Sequence, residues 1–386
     1  KMGLVIHQVH FCEKRGGIQM EVFPLHQMGL EEAKQKQFEL VDAICKEFSG
    51  TQFLNLGDLG VPQPLNKPIQ TEKVEKVLAT FFHSEKVLLV TGAGTGAIRC
   101  GLAALLPPSG TVLVHKAPIY PTTLTTLKGR NTRIVEADFN DCDDIRKVMS
   151  KERVDCALIQ YTRQKPDDRY KMKEVIDTIK EQKDIPIITD DNYAALKVPF
   201  IGAEQGADLS AFSAFKLLGP EGVGILVGKE KYINAIDKFN YSGGSKVQGW
   251  QAMEVLRNLV YTPVALAIQA EENEKIIVQL RKERLPEIKD VFIANSQSKV
   301  IIVEFFHDIA EDVLKEAEAL GAAPHPIGSE SKYEVIPMFY RVSGTYRQYD
   351  PTFEKRMIRI NVMRSGSETV IRILKESIKR VMQRCF

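Results

Sequence analysis

The sequence carries no surplus of charge: 52 lysines and arginines stand against 50 aspartates and glutamates, leaving a net +2. Without a global excess of one sign there is no long-range field to hold a polyanion or an anionic membrane, so neither nucleic acid nor membrane is an expected partner. Long hydrophobic runs are also missing. None reaches the roughly 18 residues that a membrane-spanning helix needs, and the start of the chain has no signal-type apolar stretch. Cysteine is sparse. Cys12, Cys45, Cys100, Cys142, Cys156 and Cys385 form no CxxC pair and no ligand spacing with the histidines, so no metal site is expected. They read as reduced, structural thiols of a cytoplasmic protein. There is no internal repeat and no low-complexity tract.

What the chain does have is 386 residues with a hydrophobic fraction of 44%, which fits one large domain and a smaller companion. Residues 1–70 read as an N-terminal arm with a helix over 30–48 and a Gly/Pro-rich, site-lining loop, Asn55 to Pro64. From Thr71 to about residue 245, helical stretches alternate with short β-rich runs, the pattern of a three-layer α/β domain with a mostly parallel sheet. Strands are expected at 111–115, 132–137, 156–160, 185–189, 209–213 and 224–227. Helices are expected at 71–82, 95–106, 141–149 and 170–182. Residues 246–386 begin with a long helical region, 247–285, interrupted at Pro263. They continue as a smaller α+β domain with strands at 299–306 and 357–362 and helices at 309–320 and 368–382.

Four constellations could carry chemistry, each following a strand-like run. In VTGAGTGAI (Val90 to Ile98) glycines end an apolar run and open a helix, where free backbone amides and the helix dipole favour a phosphate. In HKAPIYPTT (His115 to Thr123), Tyr120 can offer a flat face to a planar ligand. IPIITDDNYAAL (Ile185 to Leu196) sets two carboxylates at the end of a buried strand, where ligands of open α/β sheets bind. Asp190 is the functional candidate and Asp191 the turn former. In SAFSAFKLLGPEGVG, Lys216 sits between a hydroxyl-bearing strand end and a Gly-Pro turn. A phosphate cradle, an aromatic plate, an acid and a lysine together match one cofactor, pyridoxal 5'-phosphate (PLP), whose lysine Schiff base and acidic ring-nitrogen partner are its usual protein contacts.

With these residues the chain resembles fold-type I PLP-dependent enzymes of the aspartate aminotransferase superfamily, and SAFKLLGPEGVG looks closest to the class V aminotransferases. The resemblance implies that Gly94, Thr95 and Gly96 form the phosphate turn and that Tyr120 stacks on the ring. It further implies that Asp190 pairs with the ring nitrogen, Tyr193 reaches the ring oxygen, Ser213 binds phosphate and Lys216 is the Schiff-base lysine. An arginine for the substrate carboxylate is implied on a strand of the small domain. Arg359 in MIRINVM matches it, with Arg356 and Arg364 as neighbouring alternatives. Two departures stand out: Phe215 occupies the place of a histidine, and QYTRQKP replaces an Asn-Pro motif. That leaves Gln160 or Arg163 to approach the cofactor or substrate. SGGSKVQGW resembles a segment that reaches the neighbouring subunit's phosphate, implying a homodimer with a shared site.

The activity implied is that of an aminotransferase acting on an amino acid, with a β/γ-elimination lyase or related transferase as the alternative. A remoter alternative comes from the glycine turn taken with Tyr161 and Lys165, which is similar to short-chain NAD(P)-dependent oxidoreductases. It lacks the third glycine, where Ile98 stands, and the following acid.

Overall fold

The computed structural model describes residues 22–165, 167–294, 299–327 and 330–385. The apolar start of the chain, with Cys12, lies outside them. In the first part run α1 (Leu30–Glu47), α2 (Ile69–Phe81), β1 (Lys86–Thr91), α3 (Ala93–Leu105), β2 (Thr111–His115), α4 (Pro121–Gly129), β3 (Arg133–Ala137) and α5 (Cys142–Lys151). There follow β4 (Cys156–Gln160), α6 (Met172–Gln182), β5 (Ile187–Asp190), β6 (Leu209–Ser213), β7 (Val223–Gly228) and α7 (Glu230–Phe239). The remainder comprises α8 (Gly249–Glu283), β8 (Ile288–Ile293), β9 (Ile301–Phe305), α9 (Ala310–Ala319), β10 (Met338–Arg341), α10 (Gly344–Tyr349), α11 (Phe353–Arg356), β11 (Met357–Asn361) and α12 (Ser367–Cys385).

Seven strands form the large sheet in the order β1-β7-β6-β5-β4-β2-β3, and only β7 runs against the others. Strands β2, β6 and β7 are buried along their whole length, as a sheet covered on both faces requires. One apolar cluster packs α1, α2 and the start of α8 on one face, and others pack α3, α5 and α6. The second sheet, β10-β11-β9-β8, is antiparallel throughout and packs against α9 and α12. The expected fold class therefore holds: a layered, mostly parallel α/β part and a smaller α+β part.

The sequence reading and the structure differ in places with a physical cause. Helix α8 runs unbroken for 35 residues through Pro263. Loss of one amide donor there is offset by burial on both sides, with Leu256, Leu259, Leu266 and Ala267 all packed inside. Tyr170 lies outside α6, buried, with its hydroxyl donating to the Gln160 carbonyl at 2.5 Å. The Asn55 to Pro64 loop is a shaped piece: Asp58 accepts from the first amides of α2, Ile69 N at 2.7 Å and Gln70 N at 3.0 Å, supplying a cap from outside the helix. Among the described residues no helix is long and apolar enough to cross a membrane.

Candidate active site

Parallel neighbours β4, β5 and β6 end at one edge of the large sheet, and the register places Gln160 beside Asp190 and Asp190 beside Ala211. Asp190 is thus the last residue of its strand, and its carboxylate faces the cleft beyond the strand ends. It is buried; burial raises its pKa, while hydrogen bonds from Asn192 and the nearby Lys216 amine oppose that rise. Asn192 donates to Asp190 Oδ1 through both its backbone amide, at 3.1 Å, and its side chain, at 2.8 Å.

Beyond β6 the chain makes a single tight turn, Phe215–Leu217. The Ala214 carbonyl accepts from both Leu217 N and Gly219 N at 2.9 Å, and Leu218 adopts φ 62°. A Cβ on Gly219 would lie 2.8 Å from that carbonyl, which explains the glycine after the lysine turn. The turn is clamped from outside by Thr262, whose hydroxyl donates to the Leu217 carbonyl at 2.8 Å. Held this way, the Lys216 amine rests over the Tyr193 ring, 3.8 Å from its centre. Burial lowers its pKa, against the pull of Asp190, Tyr120 and Glu330.

The glycine turn opens α3. Gly92 (φ 94°) and Ala93 (φ 54°) both lie in the left-handed region, and their amides donate to the Gly222 carbonyl at 2.8 and 3.0 Å. The first intrahelical bond is Gly96 N to the Gly92 carbonyl at 2.8 Å, so helix geometry gives the Gly94 and Thr95 amides no intrahelical acceptor. Gly94 has a further reason to be glycine: a Cβ there would lie 2.6 Å from Asn192 Oδ1. That same oxygen accepts from Ser213 N at 3.1 Å. One amide side chain therefore ties together the glycine turn, Asp190 and the end of β6. Tyr120, half exposed just before α4, lines a cleft with Asp190, Gln160, His115 and Thr123. Thr95 Oγ1 and Thr122 Oγ1 are 3.3 Å apart across the glycine turn and α4.

Tyr120 and Asp190 thus line one cleft, the Lys216 amine over Tyr193 bears on the Asp190 charge, and Asn192 links Asp190 to Ser213 and stands against Gly94. The arginines divide. Arg359, on β11 opposite Tyr340, lies with its guanidinium 4.1 Å from the centre of the Tyr340 ring and donates through Nε to the Arg341 carbonyl at 2.6 Å. Burial lowers its pKa, and Tyr340 and Tyr193 are among the groups that oppose this. Arg356 is taken up by ion pairs, with Glu304 at 3.1 Å and Asp350 at 3.4 Å. Arg364 donates to the Ala265 carbonyl at 3.3 Å and to Gln269 at 3.0 Å on α8. Arg163 is buried, and its guanidinium donates to the backbone carbonyls of Tyr170 and Phe23, stapling the segment ahead of α1 to the large domain. Tyr161, the phenol of the dehydrogenase comparison, donates to the Phe200 carbonyl at 3.1 Å and accepts from Gln205 at 2.7 Å.

Three contributors carry no motif signal. Asn192 reads as an ordinary turn residue, and its role appears only once Gly94 and Ser213 are brought beside it. Lys197 and Glu330, a buried ion pair near Lys216, come from distant segments.

The residues present fit PLP. A buried acid at a strand end, a lysine amine on an aromatic face and two helix-start amides supply the donor set its ring, aldehyde and phosphate require. The fold and this site define a PLP-dependent protein of fold type I. Residues 68–259 match the aminotransferase class-V family, and residues 274–374 match the YhfS-like C-terminal domain. The protein YhfS of Escherichia coli is 52% identical over 362 residues, covering 94% of this chain and all of YhfS. Its crystal structure, that of a pyridoxal-5'-phosphate-dependent protein, superposes with a TM-score of 0.92 over 94% of this chain and 100% of that one. The chain belongs to the YhfS-like family of fold-type I PLP-dependent proteins. More distant solved structures share the fold: a putative cystathionine β-lyase of Listeria monocytogenes (17% identity, TM-score 0.68, covering 91% of this chain and 95% of that one) and the cystathionine γ-lyase CalE6 of Micromonospora echinospora (15%, TM-score 0.69, 89% and 99%). With the family established, the oxidoreductase alternative is set aside.

Proposed function

We propose that this chain is a PLP-dependent aminotransferase acting on an amino acid, with Lys216 as the amine that holds the cofactor and moves the substrate's Cα proton. The observation that carries the reading is that the Lys216 amine and the Asp190 carboxylate meet beyond the ends of adjacent strands, near enough to bear on each other's charge. The cofactor, when bound, supplies an electron sink for charge developing at Cα. Everything else falls to the chain. The Gly94 and Thr95 amides, with Ser213, would hold the phosphate, and Tyr120 would cover one ring face. Asp190, kept in place by Asn192, would hold a proton on the ring nitrogen, since a carboxylate beside that nitrogen favours its charged form. Tyr193 would meet the ring oxygen.

Because burial lowers the Lys216 pKa, more of its amine is unprotonated near neutrality than in an ordinary lysine, the state needed to accept a proton from Cα. Arg359 would grip the substrate carboxylate with two parallel hydrogen bonds, its plane steadied by Tyr340. Arg163, occupied by backbone carbonyls, is assigned instead to hold the N-terminal segment. A homodimer is proposed with it: Leu54, Leu56, Leu59, Tyr241 and Trp250 are exposed around the Ser242 to Ser245 turn and the start of α8. A patch of that kind suits a second copy.

The test is to mix the loaded protein with single amino acids and analyse the products. Transamination gives pyridoxamine phosphate and a keto acid in equal amounts. Ammonia and a keto acid without pyridoxamine phosphate would replace this reading by elimination.

A further inference from the structure

Lys197 and Glu330 form an ion pair in which both side chains are almost fully enclosed, 3% and 2% exposed. Lys197 lies in the large domain, just beyond the Asp190 to Tyr193 turn, and Glu330 in the segment before β10. Glu330 Oε1 accepts from Gln269 of α8 at 2.9 Å and from Asn361 of β11 at 3.4 Å. Gln269 also donates to Asn361 Oδ1 at 2.9 Å, and Arg364 donates to Gln269 Oε1 at 3.0 Å. A buried pair of this kind is a poor source of stability, since desolvation of both charges offsets most of their attraction. Glu330 is moreover held at φ 79°, a backbone region that costs a residue with a side chain of its own.

Both features are accounted for by what lies next to the pair. The Tyr193 ring carries two lysine amines: Lys216 at 3.8 Å from its centre and Lys197 at 5.6 Å. The site therefore brings together two lysine amines, half-buried Lys216 and buried Lys197, and two buried carboxylates, Asp190 and Glu330. We propose that the Lys197–Glu330 pair is a positioning and charge-setting device for Lys216, delivered from the C-terminal domain, which sets how readily the Lys216 amine gives up its proton. This rests on Lys216 being the reacting amine. The groups facing Lys216 are Asp190 on β5, Tyr120 before α4, and Tyr193, Lys197 and Glu330; those facing Glu330 are Lys197, Lys216, Gln269, Asn361, Arg364 and Tyr340. Burial and the neighbouring Lys216 both lower Lys197, and Glu330 opposes them. Glu330 likewise supports the charged form of Lys216.

The experiment follows the pH dependence of acetylation of Lys216 and Lys197 by peptide mass spectrometry, in protein freed of cofactor. Glu330→Gln keeps an acceptor for Lys197 but removes the negative charge. The Lys216 midpoint is then expected to fall by about one pH unit, roughly tenfold more reactive amine at a fixed pH below it. Lys197→Met removes the competing cation, and the Lys216 midpoint is expected to rise. If Glu330→Gln fails to fold, Lys197→Met still carries the test by its upward shift. Folded variants in which the Lys216 midpoint stays at the wild-type value, whatever Lys197 does, would overturn the proposal and leave the pair a domain seam only. Since no cofactor is present in the labelling, a failure of Lys216 to bind PLP would defeat the functional reading without deciding this one.

Discussion

At the scale of single residues, Asn192 joins three segments that are far apart in sequence. Its side chain donates to Asp190, accepts from Ser213 N and fills the space that a Cβ on Gly94 would need. Asn192→Ala removes two side-chain hydrogen bonds, each worth roughly 0.5–1.5 kcal/mol, and loosens the acid and the glycine turn together. Titration with PLP, followed by absorbance, is expected to show affinity weakened by roughly tenfold or more, with the fold retained by circular dichroism. The motif residues were legible because their chemistry demands a residue type at a place: a lysine after a hydroxyl-bearing strand end, an acid closing a buried strand, glycines at a helix start. Asn192, Lys197 and Glu330 were not, since an amide in a turn and two charges in separate segments gain meaning only through tertiary contact. Arg163 was a fair candidate by sequence, but folding commits its guanidinium to the carbonyls of Phe23 and Tyr170.

At the scale of elements, alternation of helical and β-rich stretches gave away the large sheet's central strands, which are short, apolar and flanked by turns. Strands β8 and β10 and helices α4, α7, α10 and α11 escaped notice, and β1 read only as an apolar run. β10 is only four residues long, and α4 begins at Pro121 inside a stretch of threonines that reads as loop. Pro263 misled in the opposite sense, because packing on both sides of α8 outweighs one missing hydrogen bond. The loop before α2 proves to be a fitted part. Gly57 sits at φ 110°, and a Cβ there would approach Trp250 N at 2.2 Å, where the obstacle is backbone and cannot turn aside. Gly57→Ala should therefore destabilise the protein by roughly 2–4 kcal/mol in denaturant unfolding, through left-handed strain and overpacking together. Gly60→Ala, with φ 94° but nothing within 4 Å of the added carbon, should cost less.

At the scale of the whole molecule, buried acids give stability a pH dependence. Burial raises the pKa of Asp191 to about 7, with one carboxylate oxygen accepting from Gly202 N at 2.9 Å. A carboxyl whose folded pKa exceeds its unfolded value binds its proton more tightly in the native state. It favours folding fully below the unfolded pKa, and that contribution is lost as pH rises through about 7. Asp191→Asn, which keeps an acceptor for Gly202 and cannot ionise, should melt above the wild-type protein by a margin that is larger at pH 8.5 than at pH 5. Each pH unit that separates the folded from the unfolded titration midpoint corresponds to about 1.4 kcal/mol of stability. Melting curves at the two pH values check this, and equal differences at both would argue against an ionising Asp191.

Which amine takes the cofactor decides the function proposed for the whole molecule. The direct measurement is to incubate the purified protein with PLP, reduce with borohydride, digest, and locate the added pyridoxyl mass by peptide sequencing. One modified residue is expected, Lys216, with loss of the modification in Lys216→Ala. Modification of Lys197 or another lysine with Lys216 untouched, or no modification at all, would contradict it.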